Sequence, residues 1–362
     1  MGWIESLFGS SLSRRDLLKL GLFSFVPLDY NEIYNKHRPK SQPDKSDEIA
    51  KLGETTLTAV GDVCLGYDGH HIEPILEKMD DEDAFNYPFA KVREQFEGIV
   101  FCNLEGTLTK HDKKVPKRFN FKADPKYVKC LGDFDIASLA NNHTMDFGEK
   151  GLEETISTLD TAKIKHIGAG TTYENSRKPA YIEKGLKIGF LGYSIVCADY
   201  VPEAYKKGFI AGCSKPDELL KDIAIDIPSA KQKSDLLVVS FHWGSEGSNY
   251  PNEMQKILAK MCIDNGANIV IGHHPHVLQG MQEYKNGLIF YSLGNFMFSG
   301  NRDPKDKDSI IAKIKLSKGG IISYEVIPVK ITSQENPYQP FVLEGRERNR
   351  VLQRVSLYSK NL

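Results

Sequence analysis

Residues 268–280 read NIVIGHHPHVLQG, a short β-branched run that ends in three histidines within four positions, the last two separated by Pro275. The whole chain holds ten histidines, so this concentration asks for a cause. A brief apolar run bounded by turn formers is the signature of a buried strand. Pro275 disfavours the α conformation at His274, so the HPH segment is expected to be extended, with His274 and His276 on one side and His273 pointing elsewhere. The reading is a strand that delivers two histidines to one site and leaves His273 replaceable.

Similar runs recur on both sides. They are TLTAVGD (56–62), GIVFCNLEG (98–106), DIASLANNH (135–143), KIGFLGYS (187–194), DLLVVSFHWG (235–244) and LIFYSLGNF (288–296). Polar clusters and helix-period segments separate them, which is the pattern of an α/β architecture. GLEETISTLDTAKI (151–164) is one such helix. In PNEMQKILAKMCIDNGA (251–267), Met254, Ile257, Leu258, Met261 and Cys262 fall at helical spacing, predicting the buried face, with Gly266 as the C-terminal cap. GGIISYEVIPVKI (319–331) and GRERNRVLQRVSLYS (345–359) predict a late strand pair and a closing helix.

Composition is that of an ordinary folded protein. Formal net charge is −1 over 362 residues, with 26% charged residues, which gives no global sign of a nucleic-acid partner. The six cysteines form no C-x-x-C pair, and neither a disulfide framework nor a structural zinc site is expected. In SLSRRDLLKLGLFSFVPLDY (11–30), Arg14 and Arg15 precede an apolar run too short for an ordinary transmembrane helix. It reads either as a twin-arginine-type signal or anchor (1–30) or as an amphipathic surface helix. Residues 31–51 read as a polar linker, 52–335 as the main domain, and 336–362 as a C-terminal helical extension packed on it.

The ends of the runs carry the chemistry. In sequence order they hold Asp62, then Asn103 and Glu105, Asn142 and His143, His242 and Glu246, His273, His274 and His276, and finally Ser292 and Asn295. Ligands of α/β sheets bind outside the carboxyl ends of strands. A single cluster of this kind has a structural explanation, but a series at successive strand ends points to one convergent site. One Asp, one Glu, one Asn and three His suit a hard or borderline divalent ion such as Mn, Fe or Zn. Six protein ligands exceed the need of one ion with an open position, so two ions are expected.

In that order the motifs GDVCLG, NLEGTLT, NNHTMDFG, FHWGSE, GHHPHV and YSLGNF make the chain resemble the CapA-type poly-γ-glutamate capsule synthesis proteins, within the calcineurin-like metallophosphoesterase superfamily, over roughly Thr56 to Thr332. The resemblance implies a four-layer sandwich of two mixed β-sheets flanked by helices. It implies Asp62 and His276 at a first metal, Asn142, His242 and His274 at a second, and Glu105 between them. It also implies His143 as catalytic acid or electrostatic partner of the leaving oxygen, with Asp146 orienting it.

Asn103, Glu246, Ser292 and Asn295 are expected on the substrate side. So are Lys117 and Arg118, from the basic stretch HDKKVPKRFNFKADP (111–125), which reads either as an anion-binding rim or as a solvated loop anchored by Phe119 and Phe121. The sequence departs from the superfamily at one place: where Asp-x-His is usual, Cys64 follows Asp62. The implied activity is a metal-dependent hydrolase acting on a phosphate ester or an anionic polymer at the cell envelope, alongside membrane-bound capsule synthesis components. The alternatives are a non-catalytic polymer-binding scaffold and an amide-bond hydrolase using the same metals.

Overall fold

The computed structural model describes residues 53–67, 77, 81–197, 209–213, 218–301, 303–360 and 362. The expected signal and linker lie outside the described residues. Residues 49–362 form one compact unit.

Two sheets dominate. The first runs, in spatial order, β16 (Phe341–Val342), β15 (Gly320–Lys330), β14 (Asp308–Ser317), β1 (Glu54–Cys64), β2 (Ile99–Leu104), β5 (Ile136–Ser138) and β6 (Lys165–Ile167), with β13 (Asn295–Phe298) also paired to β1. The second runs β11 (Met281–Tyr284), β12 (Gly287–Phe290), β10 (Ile269–His273), β9 (Leu236–His242), β8 (Leu186–Ser194) and β7 (Ala180–Lys184). Strands β1, β2, β5 and β6 are mutually parallel, as are β8, β9, β10 and β12. Buried almost throughout, β1, β2, β8, β9, β10 and β12 read as apolar runs in the sequence, whereas β6, with Lys165 exposed, does not.

Alternation along each strand sorts the layers. Leu57, Ala59, Ile99 and Phe101 of the first sheet meet Ile188, Phe190, Val238, Ile269 and Ile271 of the second in one core, where the Phe101 and Phe190 rings stack 6.1 Å apart. The outer face of the first sheet packs beneath helix α1 (Gly148–Thr161) through Leu152 and Leu159. That of the second packs beneath α2 (Leu219–Lys231) and α3 (Glu253–Asp264). The architecture is therefore the expected four-layer α/β sandwich. Helix α4 (Gly345–Tyr358) closes it through Val351 and Val355, and Arg350 holds buried Asp308 with two bonds of 2.7 Å.

Three expectations need correction. LIFYSLGNF is not one strand: β12 belongs to the second sheet, and Gly294, at φ 74°, turns the chain so that Asn295 opens β13 opposite Asp62 in the first. On α3 the buried residues are Gln255, Leu258, Ala259, Cys262 and Ile263, while Met254 is 50% exposed and Ile257 37%. The helix is rolled because Gln255 completes a capping box with Asn252 and donates to buried Gln279 at 2.8 Å, an inward polar anchor that hydrophobic spacing does not reveal. Finally, Cys197 and Cys213 form a disulfide, with Cα atoms 5.5 Å apart. Sixteen residues separate them in sequence, and they meet because Ser194 N–H donates to Ala211 O at 2.9 Å, folding the two segments together. Among the described residues no helix is long and apolar enough to cross a membrane.

Candidate metal centre

The inner faces of the two sheets meet at the carboxyl ends of their parallel strands, and there the polar residues converge. Register places Asp62 beside Asn103, and Asn103 beside Ser138, in the first sheet. In the second it places Ser194 beside His242 and His242 beside His273. The sheets are then joined across the layer: Asn103 Nδ2 donates to Asp62 Oδ1 at 2.9 Å and lies 3.4 Å from His242 Nδ1. Asn142 Oδ1 lies 2.8 Å from His242 Nε2. His276 Nδ1 is 3.4 Å from Asp62 Oδ2, and its Nε2 is 3.6 Å from Glu105 Oε1.

The histidine segment itself is bent, not extended. His274 has φ 94° and His276 φ 58°, so both non-glycine residues occupy the left-handed region. Convergence comes from this turn, held by the His274 N–H, which donates to Asp62 Oδ2 at 3.3 Å, and by Asn295 Oδ1, 2.8 Å from His276 Nδ1. Backbone strain of this kind clusters at functional sites. The expectation for His273 also fails: its Nδ1 lies 3.0 Å from Asp62 Oδ1, and its side chain is fully buried. The missed signal was simple periodicity, because Ile269, Ile271 and His273 all face the same inner side of β10.

His143 stands at the edge of this cluster. Its Nδ1 is 2.7 Å from Asp146 Oδ2, the Phe121 ring stacks on it at 3.8 Å, and Nε2 faces Glu105 Oε1 at 3.8 Å. A small parallel pair, β3 (Thr107–Leu108) with β4 (Lys122–Ala123), carries the intervening loop to this wall. Within that loop Lys117 is not on the rim. Its side chain is 7% exposed, pairs with Asp146 and donates to Asn142 O at 2.9 Å. Arg118 and Phe119 are exposed and pack on each other. Exposed Glu246 groups with His274 and His276. Ser292 accepts from Gly294 N–H and donates to Val277 O, a backbone-holding position. Cys64 is buried against Phe121 and Phe298 and donates to Gly66 O at 3.2 Å.

The donor set fits divalent ions. Asp62, Glu105 and His242 lie close enough to share one, as do Glu246, His274 and His276. Buried Glu105 Oε1, His274 Nδ1 and both ring nitrogens of His273 have no hydrogen-bond partner, which a protein seldom tolerates away from an ion.

Electrostatics agree. Burial disfavours a charge on Asp62, yet His273 and His276 overcome it and hold the carboxyl well below its usual range. Burial pushes Glu105 well up and His143 down. It also drives His242 well down and His274 to about 3, which favours the neutral ring, the form that can bind a metal. His276 moves the other way, to about 10, because Glu105 and Asp62 outweigh its burial.

The sign of the pH dependence follows. Without metal, His276 keeps its proton between its ordinary 6.5 and about 10, and an ion must displace that proton to bind the ring. Loading Mn²⁺ or Zn²⁺ near neutral pH is expected to release at least about one proton per chain, read by calorimetry in buffers of different ionisation enthalpy. The raised value also means that the stability His276 lends the metal-free chain is full below 6.5 and is lost as pH rises through about 10. The melting temperature of the metal-free form should fall across that window.

Comparison with known proteins adds relatives. A protein named capsule biosynthesis protein CapA from Bacillus anthracis is 33% identical over 330 residues, covering 87% of this chain and 75% of its own. The PGA biosynthesis protein CapA of Bacillus subtilis is 34% identical over 300 residues, covering 79% and 75%. Among solved structures, a 5'-nucleotidase from Candida albicans gives a TM-score of 0.43 at 10% identity, covering 85% of this chain and 58% of that one. The profile of a bacterial family within the metallophosphoesterase-like superfamily matches residues 56–300. With two thirds of its length inside that profile and CapA relatives aligned over 87% and 79% of it, the chain belongs to the bacterial capsule synthesis protein PGA_cap family.

Proposed function

We propose that the protein is a metal-dependent hydrolase of phosphoesterase type that acts in the synthesis or processing of poly-γ-glutamate or another capsule-type anionic polymer. The observation that carries this reading is the convergence of Asp62, Glu105, His242, His274 and His276 at the strand ends, with His143 Nε2 facing the same space. These residues, with Asn142 beside His242, would hold the ions. When bound, the ions would supply Lewis-acid polarisation of a phosphoryl oxygen and a nucleophilic water at neutral pH. Asp146 fixes the orientation of the His143 ring and favours its protonated form against the burial that disfavours it, so that Nε2 can pass a proton to the leaving oxygen. Phe121 stacks on one face of that ring and helps to fix its plane.

The test is metal analysis of the purified chain together with turnover of a model phosphodiester and of γ-glutamyl polymer. Bound divalent metal and chelator-sensitive hydrolysis are expected; a chain without metal that folds fully in chelator overturns the reading. The second reading, a polymer-binding scaffold without turnover, is favoured by Cys64, which lies where the superfamily usually supplies a metal-binding histidine. Bound metal without hydrolysis would select it.

We further propose export to the cell envelope through the Arg14–Arg15 signal. The Cys197–Cys213 disulfide supports it, because such bonds persist in oxidising compartments. Replacing both arginines by Lys should hold the protein in the cytoplasm, and unchanged localisation would remove the proposal.

A further inference from the structure

Asp62 lacks the histidine two residues on that the superfamily motif would provide, and Cys64 does not take its place. The Cys64 thiol is turned to Gly66 O and packed between Phe121 and Phe298, so its sulfur is spent on the aromatic wall. On the opposite side of Asp62, the fold supplies an imidazole from another strand. His273 ends β10 on the inner face of the second sheet, beside His242 in register, and its Nδ1 reaches to 3.0 Å from Asp62 Oδ1.

The orientation of that contact is informative. At 3.0 Å a ring N–H aimed at the carboxylate would be a good hydrogen bond, yet neither ring nitrogen of His273 makes a directed one. A separation of 3.0 Å is also that of neighbouring ligand atoms on one ion. His276 Nδ1 flanks the other carboxylate oxygen at 3.4 Å, so Asp62 sits between two imidazoles. A fully buried ring with both nitrogens unsatisfied is rare without such a cause.

We propose that His273 is a ligand of the ion held at Asp62, a cross-strand histidine that substitutes for the one missing at position 64. It adds an imidazole from the second sheet to the ion at Asp62. The inference rests on the metal-centre reading above and not on hydrolytic activity.

The experiment uses the full chain and Co²⁺ as probe. Ion stoichiometry is measured by elemental analysis, affinity by titration, and ligation by the paramagnetically shifted ring N–H signals of bound histidines. His273→Gln preserves volume, and His273→Ala is made alongside it; His274→Ala reports on the second ion. The expected result for His273→Gln is a first-ion affinity weakened by about tenfold or more and the loss of one shifted imidazole signal, with the second ion retained. An unchanged count of shifted signals overturns ligation, even if affinity falls, because a merely supporting role would leave that count intact. If wild type binds Co²⁺ but hydrolyses nothing, the hydrolase reading fails and this inference stands. If wild type binds no Co²⁺, both fail.

Discussion

His143→Ala is expected to lower turnover of a phosphodiester by about 10²–10⁴-fold while leaving bound metal nearly unchanged. The size follows from placement. The ring is held from behind by Asp146 at 2.7 Å and on its face by Phe121 at 3.8 Å, and its one free nitrogen faces the cluster of carboxylates and imidazoles. Its Nδ1 is taken by Asp146, and its Nε2 stands 3.8 Å from Glu105 Oε1, so its removal should cost proton transfer and not ligation. Steady-state kinetics with metal analysis on the same preparation checks both halves. Full activity in this variant would leave the polymer-binding scaffold as the better reading.

The second large effect concerns folding. Trp243 follows His242 and is completely buried, stacked on Phe241 at 4.6 Å, with Nε1 donating to Tyr291 O at 2.8 Å. Trp243→Ala is expected to cost about 3–5 kcal/mol, the sum of lost apolar burial and a residual cavity. Trp243→Phe should cost less, since it keeps the stack and strands only one carbonyl. Urea denaturation of the three proteins measures this. Because His242 shares the strand end, the Ala variant should also bind metal more weakly; a Trp243→Ala protein of wild-type stability would show that the outer core does not depend on this residue.

Much of this was legible in residue order because two physical signals are local. Strands buried on both faces must be apolar throughout, so the runs at 56–62, 98–106, 187–194 and 235–244 announced themselves. Parallel strands also gather their carboxyl ends on one edge, so listing strand-end residues amounted to listing the site. What stayed hidden depends on distant contacts. The roll of α3 is set by Gln255 meeting Gln279. The inward turn of Lys117 depends on Asp146 and the Asn142 carbonyl lying behind it. The Cys197–Cys213 pair required knowing that two segments fold onto each other. The HPH segment turns where the proline rule favours extension, because that rule is a preference and the contacts of His274 N–H with Asp62 and of His276 with Asn295 override it. His273, by contrast, could have been read from the period of its own strand.

The left-handed backbone at His274 and His276 has a consequence for how this sequence responds to selection. Each such residue costs about 1–3 kcal/mol that glycine would not incur. A library screened only for heat resistance should therefore accumulate glycine or asparagine at His274, whose ring has no hydrogen-bond partner at Nδ1, and keep His276, whose ring pairs with Asp62 and Glu105. Thermal robustness and ion binding pull the His274 codon in opposite directions, so its retention as histidine in a thermostabilised line would report that the centre is in use.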